Sequence, residues 1–498
     1  MENYASQFHG IKGKGSDKGL TYNNPLITQE YGADPYAMVY ENTLYIYMTQ
    51  DAYERDGAGN IKENSYATIK SIRVISTKDG VNWTDHGAIN VAGSAGAAKW
   101  ARNSWAPAVA WKHINGKNWF FLYFADSGGG IGVLKAESPI GPFKDPLGHG
   151  LITKSTKNCK DVLWLFDPAV LVDDNGRAYI YFGGGVPQDK IAHPKTARVA
   201  ELSADMIGLK SDPVIIDAPY LFEDSGIHKV GNKYYYTYCT NWQVDEGGAK
   251  KYGFTKAQIV SMESNSPMGP FVLKETILEN PGKMFGLYGN NHHCVFQWRN
   301  QWYITYHTRV LEQTRGIEKG YRCTFINSFT MGRNGTIGMI RQNKEGIQQL
   351  STLDPYTKVN ACTFSHQAGL AVAASDSISA HYGTGNMVLT GIDTGDFCRI
   401  TGADFKWWGP SAITMTVRKI GKVDEKCAIE LRLDVLNGQV IGYIPVGKLI
   451  NQRQNGGEFA PITAQIKEKI YGKHDFYMNF SGSNYEILDW KFEGELHR

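Results

Sequence analysis

One plan of residues returns five times between positions 31 and 309, and it restricts the fold more than any bulk property. The five segments are "YGADPYAMVYENTLYIYMTQ", "NSWAPAVAWKHINGKNWFFLYFAD", "FDPAVLVDDNGRAYIYFGGG", "FEDSGIHKVGNKYYYTYCTN" and "GNNHHCVFQWRNQWYITYHTR". Each sets a polar or aromatic residue ahead of an apolar strand, a tight turn and an aromatic strand. The turns ENT, NGK, DNG, GNK and RNQ fall at matching places, as hairpins require. The starts recur about every 55 to 70 residues, longer than the roughly 40–45 of WD repeats. "ESPIGPF" and "ESNSPMGPF" also recur after the second and fourth hairpins. Long 3.6-residue periodicity is absent, so the chain reads as all-β. Radial repetition of short sheets predicts a five-bladed β-propeller over residues 1–345.

In a propeller the innermost strand of each blade begins at the central channel. The residues that open the five repeats therefore converge, although they are far apart in the chain. They are Asp34, the Trp105-Ala106 pair, Asp167, Glu223 and the Asn291-His292-His293 cluster. Asp167 stands among Trp164, Leu165, Phe166, Ala169 and Val170, where a carboxylate loses water unless something pairs with it. As a mere turn cap it would be unremarked, but small or apolar residues would serve five turn caps better. Three carboxylates in one funnel suit the cleavage of a glycosidic bond. That reaction needs an acid to protonate the leaving oxygen and a base to activate water on the opposite face. Burial or a neighbouring carboxylate keeps the acid protonated. No redox cofactor is needed.

Bulk properties remove other classes. A chain of 498 residues is expected to form two or three domains. With 52 basic against 49 acidic side chains, the net charge of +3 leaves no electrostatic footprint for nucleic acid. The seven cysteines stand singly in apolar runs, which suits buried hydrophobes rather than a disulfide or zinc framework. No segment approaches eighteen uninterrupted apolar residues, so no membrane span is expected. "MENYASQFHGIKGKGSDKG" has no apolar signal-peptide region, which gives a cytoplasmic expectation unless a leader has been removed. Oligomeric state is not legible.

The order Asp-Pro, Trp-Ala-Pro, Phe-Asp-Pro-Ala, Glu-x-x-x-Ile and His-His on the five hairpins resembles glycoside hydrolase family 43, over about residues 20 to 345. The resemblance implies Asp34 as general base, Asp167 as modulator of the acid's pKa, and Glu223 as general acid. It implies Trp105, Phe166, Asn291 and Arg309 on the sugar. It further implies a calcium ion in the channel, bound largely by waters and by His292, with His293 as the strand residue that follows. Asp224, beside the acid, is expected on the opposite face of its strand. The implied activity is inverting and exo-acting, the removal of α-L-arabinofuranosyl side chains from arabinoxylan or its oligosaccharides. A β-D-xylosidase, an arabinanase and a non-catalytic pentose-binding propeller are the alternatives. The Asn-Asp-Pro-Asn-Gly and Arg-Asp-Pro signatures of the fructan hydrolases are missing.

Residues 346–498 hold short strands such as "AITMTVRKI", "CAIELRLDV" and "HDFYMNFSG". Alternation in "IELRLDV" places Glu430, Arg432 and Asp434 on one wet face of a β-sandwich. The stretch from "IELRLDVLNG" to "ILDWKFE" resembles family 6 carbohydrate-binding modules, which are jelly rolls. At the position of a Glu-Ala-Glu calcium motif in such modules, this chain has Asn360 and Cys362. Trp407, Trp408 and Tyr485 are the candidate sugar-stacking faces.

Overall fold

The computed structural model describes residues 2–453 and 457–494 and is all-β. Two compact units divide the chain. One runs from Glu30 to Val74 and from Ala88 to Gly346. The other combines residues up to Gln29 with Ile75–Gly87 and the chain from Ile347 onward. The first 29 residues, expected with the propeller, therefore count with the unit that holds the C-terminal strands.

The first unit contains the repeat. Its opening sheet pairs β1 (Ala33–Tyr40), β2 (Thr43–Thr49), β3 (Ser71–Thr77) and β4 (Trp83–Asn90), with the residues of the last two that fall within Ile75–Gly87 counted in the other unit. Next come β5 (Trp105–Ile114), β6 (Lys117–Ala125), β7 (Gly130–Ala136) and β8 (Ile152–Thr153). The third sheet holds β9 (Ala169–Val172), β10 (Ala178–Phe182), β11 (Ala197–Glu201) and β12 (Val214–Ile216). The fourth holds β13 (Leu221–Val230), β14 (Lys233–Thr240), β15 (Ile259–Ser264) and β16 (Val272–Leu278). The last described sheet holds β17 (His293–Trp298), β18 (Gln301–Thr308) and β19 (Cys323–Phe329). Within each sheet the strands pair antiparallel in chain order.

The first strands also meet one another. β1 lies beside β5, β5 beside β9, β9 beside β13, β13 beside β17, and β17 beside β1 again.

Local chemistry explains the hairpins. Glu41-Asn42, Asn115-Gly116 and Arg299-Asn300 each place two consecutive residues at positive φ, between 47° and 80°. This is the backbone that matches the twist of tightly joined strands, and Asn and Gly enter it at least cost. The second strands, such as "FFLYFA" in β6 and "AYIYF" in β10, are buried at every position. Strands covered on both faces read as continuous apolar runs rather than alternations. Full burial of one such side chain contributes about 1.5–3 kcal/mol.

In the second unit, one sheet runs Ala371–Ala374, Met387–Thr390, Tyr485–Gly494, Pro410–Lys419, Ala460–Gln465. The other runs His366–Ala368, Phe397–Asp404, Lys473–Ser481, Ala428–Leu433, Val440–Ile444. Their shared core includes Ile413, Met415, Leu431, Phe476 and Trp490, so this unit is a β-sandwich. Two expectations change here. Glu430 is buried rather than wet, because Arg432 grips both its oxygens at 2.6 and 3.0 Å. Tyr485 is 1% exposed in the core and cannot stack on a sugar, whereas Trp407 is 73% exposed. Trp408 packs on Tyr356 with ring centroids 5.9 Å apart. Asn360 accepts a hydrogen bond from the Cys362 amide at 2.7 Å, so it caps its own turn.

Candidate active site

Asp34 and Asp167 share an uncommon backbone. Their φ values are +48° and +46°, and a proline follows each. Proline disfavours the right-handed helical region for the residue before it, and Asp is among the few residues that enter the left-handed region. The β1 ladder breaks between Ala33 and Tyr36. The turn takes each carboxylate out of strand alternation, a strain that persists where the surroundings over-determine it. In β13 the register slips on both sides of Glu223, and Asp224 has φ +68°.

The three carboxylates line a single cavity of about 520 Å³, and they are only 4% (Asp34), 5% (Asp167) and 7% (Glu223) exposed. Every lining residue belongs to the first unit. One wall is aromatic. Trp164 meets Phe166 and Phe222 edge-on, both with centroids 5.3 Å away. Trp105 donates from Nε1 to the Tyr66 carbonyl at 2.9 Å and presents its ring to the same cavity. An apolar pocket with a few convergent polar groups is the usual form of a small-molecule site.

The carboxylates are driven apart electrostatically. Burial alone would raise Asp34, but the Arg322 guanidinium, with His307 and His292, outweighs it and holds the carboxyl well below the ordinary range. Arg322 Nη1 donates to Asp34 Oδ1 at 3.0 Å. Glu223 is pushed well above its ordinary range by burial and then by Asp167, Asp224 and Asp34. Its Oε1 is buried with no protein partner among the described residues. Asp167 is raised as well, by burial and by Asp34 and Asp224. The site thus holds an ionised carboxylate at Asp34 beside acids that bind protons, the separation that assigns base and acid roles.

Most of the residues singled out in the sequence meet here, and two do not. Trp105, Phe166 and His292 line the cavity. Asn291 does not: its Nδ2 donates to the Ala257 carbonyl at 3.0 Å, and Asn290 takes the lining position. Arg309 does not either. It precedes the short helix Val310–Thr314, where its Nε pairs with Glu312 and its Nη1 reaches the Tyr288 carbonyl at 3.0 Å. The arginine at the carboxylates is Arg322, directly before β19. Asp224 points away from the lining but is not detached from the site. Its amide donates to Asp167 Oδ2 at 3.0 Å and its carboxylate pairs with His293 Nδ1. Sequence reading also missed Tyr66, Trp164, Phe222 and Trp242. Trp164 and Phe222 stand close before the motif acids and were legible there; Tyr66 and Trp242 lie on non-repeating loops.

Calcium takes six to eight oxygen ligands. His292 Nε2 lies 3.2 Å from Asp224 Oδ1, and its Nδ1 lies 3.7 Å from both Asp34 and Asp167. Both ring nitrogens face carboxylates, and an ion at His292 would have to draw the ring from Asp224. No group of three or more His, Cys, Asp or Glu among the described residues is arranged for a metal. The expected ion is held largely by waters and one His, and His292 on the cavity lining would be that His.

Residues 22–337 match the family model for glycosyl hydrolases family 43, and residues 360–494 match that for carbohydrate binding module family 6. An arabinoxylan arabinofuranohydrolase of Paenibacillus polymyxa is 44% identical, over 94% of this chain and 74% of its own. Another, of Bacillus subtilis, is 45% identical over 94% of this chain and 90% of its own. The crystal structure of a family 43 arabinoxylan arabinofuranohydrolase from Bacillus subtilis, in complex with cellotetraose, superposes with a TM-score of 0.89 at 40% identity. It covers 96% of this chain and 99% of that one. Taken with the buried carboxylates of one aromatic cavity, these matches show that the chain belongs to glycosyl hydrolases family 43.

Proposed function

We propose that the five sheets of the first unit are blades of a five-bladed β-propeller, and that its central cavity removes α-L-arabinofuranosyl side chains from arabinoxylan or its oligosaccharides with inversion. The ring of contacts among β1, β5, β9, β13 and β17 supports the propeller. The arabinoxylan arabinofuranohydrolases among the relatives support the substrate. The catalytic domain is read as extending to residue 345, with a carbohydrate-binding module after it.

The observation that carries the reaction is the opposed electrostatics of Asp34 and Glu223 in one cavity. Asp34, held ionised, takes a proton from water as the water oxygen bonds to the anomeric carbon. Glu223, held protonated, gives its proton to the glycosidic oxygen as the carbon–oxygen bond breaks. The xylan fragment leaves as a neutral hydroxyl, and the two carboxyls return to their starting states by exchange with solvent. Asp167 and Glu223 each disfavour ionisation of the other, so Asp167 strengthens the hold of Glu223 on its proton.

Proton NMR of an arabinoxylan oligosaccharide digest provides the test. Arabinose released by this mechanism is first the β anomer, and the α anomer grows in only by mutarotation. An α anomer first would replace inversion by a covalent intermediate; no arabinose at all would remove the reading.

The pH profile gives a second expectation. Activity requires Asp34 ionised and Glu223 protonated, so kcat/KM rises through the depressed Asp34 pKa and falls through the elevated Glu223 pKa. Removing the Arg322 charge takes away the largest single pull downward on Asp34, so Arg322→Met moves the acid limb upward by about 1–3 pH units. Stopped assays between pH 3 and 8 follow this directly.

A further inference from the structure

Asp51 does not itself line the cavity, yet it is bound to Arg322, which does. It follows β2 and is fully buried. Its Oδ2 accepts from the Arg322 amide at 3.0 Å and from Arg322 Nε at 2.9 Å, and its Oδ1 accepts from Nη2 at 2.8 Å. This two-pronged grip leaves Nη1 to donate to Asp34 Oδ1 at 3.0 Å. The guanidinium carbon of Arg322 also lies 4.7 Å from the centroid of the Tyr66 ring, whose carbonyl holds Trp105.

We infer that Asp51 is a positioning residue for the hydrolysis: by fixing the Arg322 fork, it sets the direction from which Asp34 is held and therefore the line along which Asp34 meets the attacking water. The inference rests on the reading of Asp34 as the base. A buried Asp–Arg–Asp row is a poor device for stability alone, since apolar side chains of similar volume usually serve as well or better. What apolar side chains cannot supply is a fixed fork, because guanidinium–carboxylate pairing is directional in a way that packing is not. The spacing of acceptors on Asp51 matches that fork and dictates which nitrogen is left for Asp34. A displacement of about 1 Å at a reacting group can cost on the order of a hundredfold in rate.

Steady-state kinetics of Asp51→Asn, alone and combined with Arg322→Lys, test this. Asparagine keeps the shape but offers one acceptor where two are needed. The expected result is a fall in kcat of about a hundredfold, with KM changed far less. In the Arg322→Lys background, which has no fork to orient, the same substitution has little further effect, the non-additivity of groups that act as one. Additive losses, or a change confined to KM, overturn the inference. Should the Asn variant fail to fold, Asp51→Glu keeps the charge and displaces the fork by one methylene; full activity in that variant also overturns it. Ratios are taken on whichever pentoside the wild-type chain cleaves, so a wrong substrate and a wrong role for Asp51 give different results.

Discussion

Glu223→Gln lowers kcat on arabinoxylan oligosaccharides by about 10⁴-fold, the upper range for losing a general acid, while the folded protein becomes more heat-stable. The leaving group there is a sugar hydroxyl, which departs only when protonated. With an aryl arabinofuranoside the leaving phenol needs little protonation, so the loss shrinks to within about a hundredfold. A uniform loss on both substrates would show that Glu223 is not the acid. The stability change follows from linkage. The folded-state pKa of Glu223 is raised above its unfolded value by burial and by Asp167, Asp224 and Asp34. A carboxyl with a raised folded pKa must take up a proton on folding, so its contribution is favourable below the unfolded value of about 4.3. That contribution turns into an increasing cost as pH rises toward the folded pKa. Glutamine has the same shape and no proton to take up. Calorimetry at pH 7 against pH 4 separates the two, since the gain over wild type is expected at the higher pH and vanishes at the lower.

The parts of this site that were legible in the sequence share one property: each is set by chemistry within a few residues. The hairpins showed because Asn42, Gly116 and Asn300 supply positive φ exactly where two aromatic strands need joining. Asp34, Asp167 and Glu223 showed because each lies within two residues of the start of a sheet's first strand, and repetition brings such positions together. Arg322 did not show. It directly precedes the third strand of its sheet, outside the hairpin that carries the repeat, and nothing local distinguishes it from Arg309. Arg309 is occupied by Glu312 three residues on, an intrahelical pairing that "RVLEQT" already spells out. Asn291 failed by one residue. A shift of one position exchanges the faces of an extended segment, so Asn290 reaches the cavity and Asn291 the Ala257 carbonyl. Tyr66 and Trp242 come from loops whose paths depend on the finished fold. Tyr485 looked like a stacking face because aromatic residues serve cores and sugars equally well, and it packs inside the sandwich core that also holds Cys427.

Asp34→Ala is expected to give a loss as large as Glu223→Gln but with the opposite signs elsewhere. Without the base, attack by water slows by about 10⁴-fold, and the loss is the same for sugar and aryl leaving groups because departure is not the step that fails. Azide needs no deprotonation and fits where the carboxylate stood, so it restores turnover of the aryl substrate in this variant. The glycosyl azide carries the configuration opposite to the substrate, since the anion enters by the route of the water. Glu223→Gln on the oligosaccharide gains nothing from azide, because its leaving group still lacks a proton. Stability moves downward. The folded pKa of Asp34 is depressed by Arg322 below the unfolded value of about 3.9. Its stabilising contribution is therefore present above that value and disappears as acid approaches the folded pKa. Alanine removes it at neutral pH and leaves the buried Arg322 with Asp51 as its remaining carboxylate, a cost of about 1.5–3 kcal/mol for a hydrogen bond to a charged group. One carboxylate whose loss destabilises and another whose loss stabilises, both silencing the same reaction, is the pattern required by an ionised base and a protonated acid. If both substitutions moved stability in one direction, or azide rescued the glutamine variant instead, the roles of Asp34 and Glu223 would have to be exchanged.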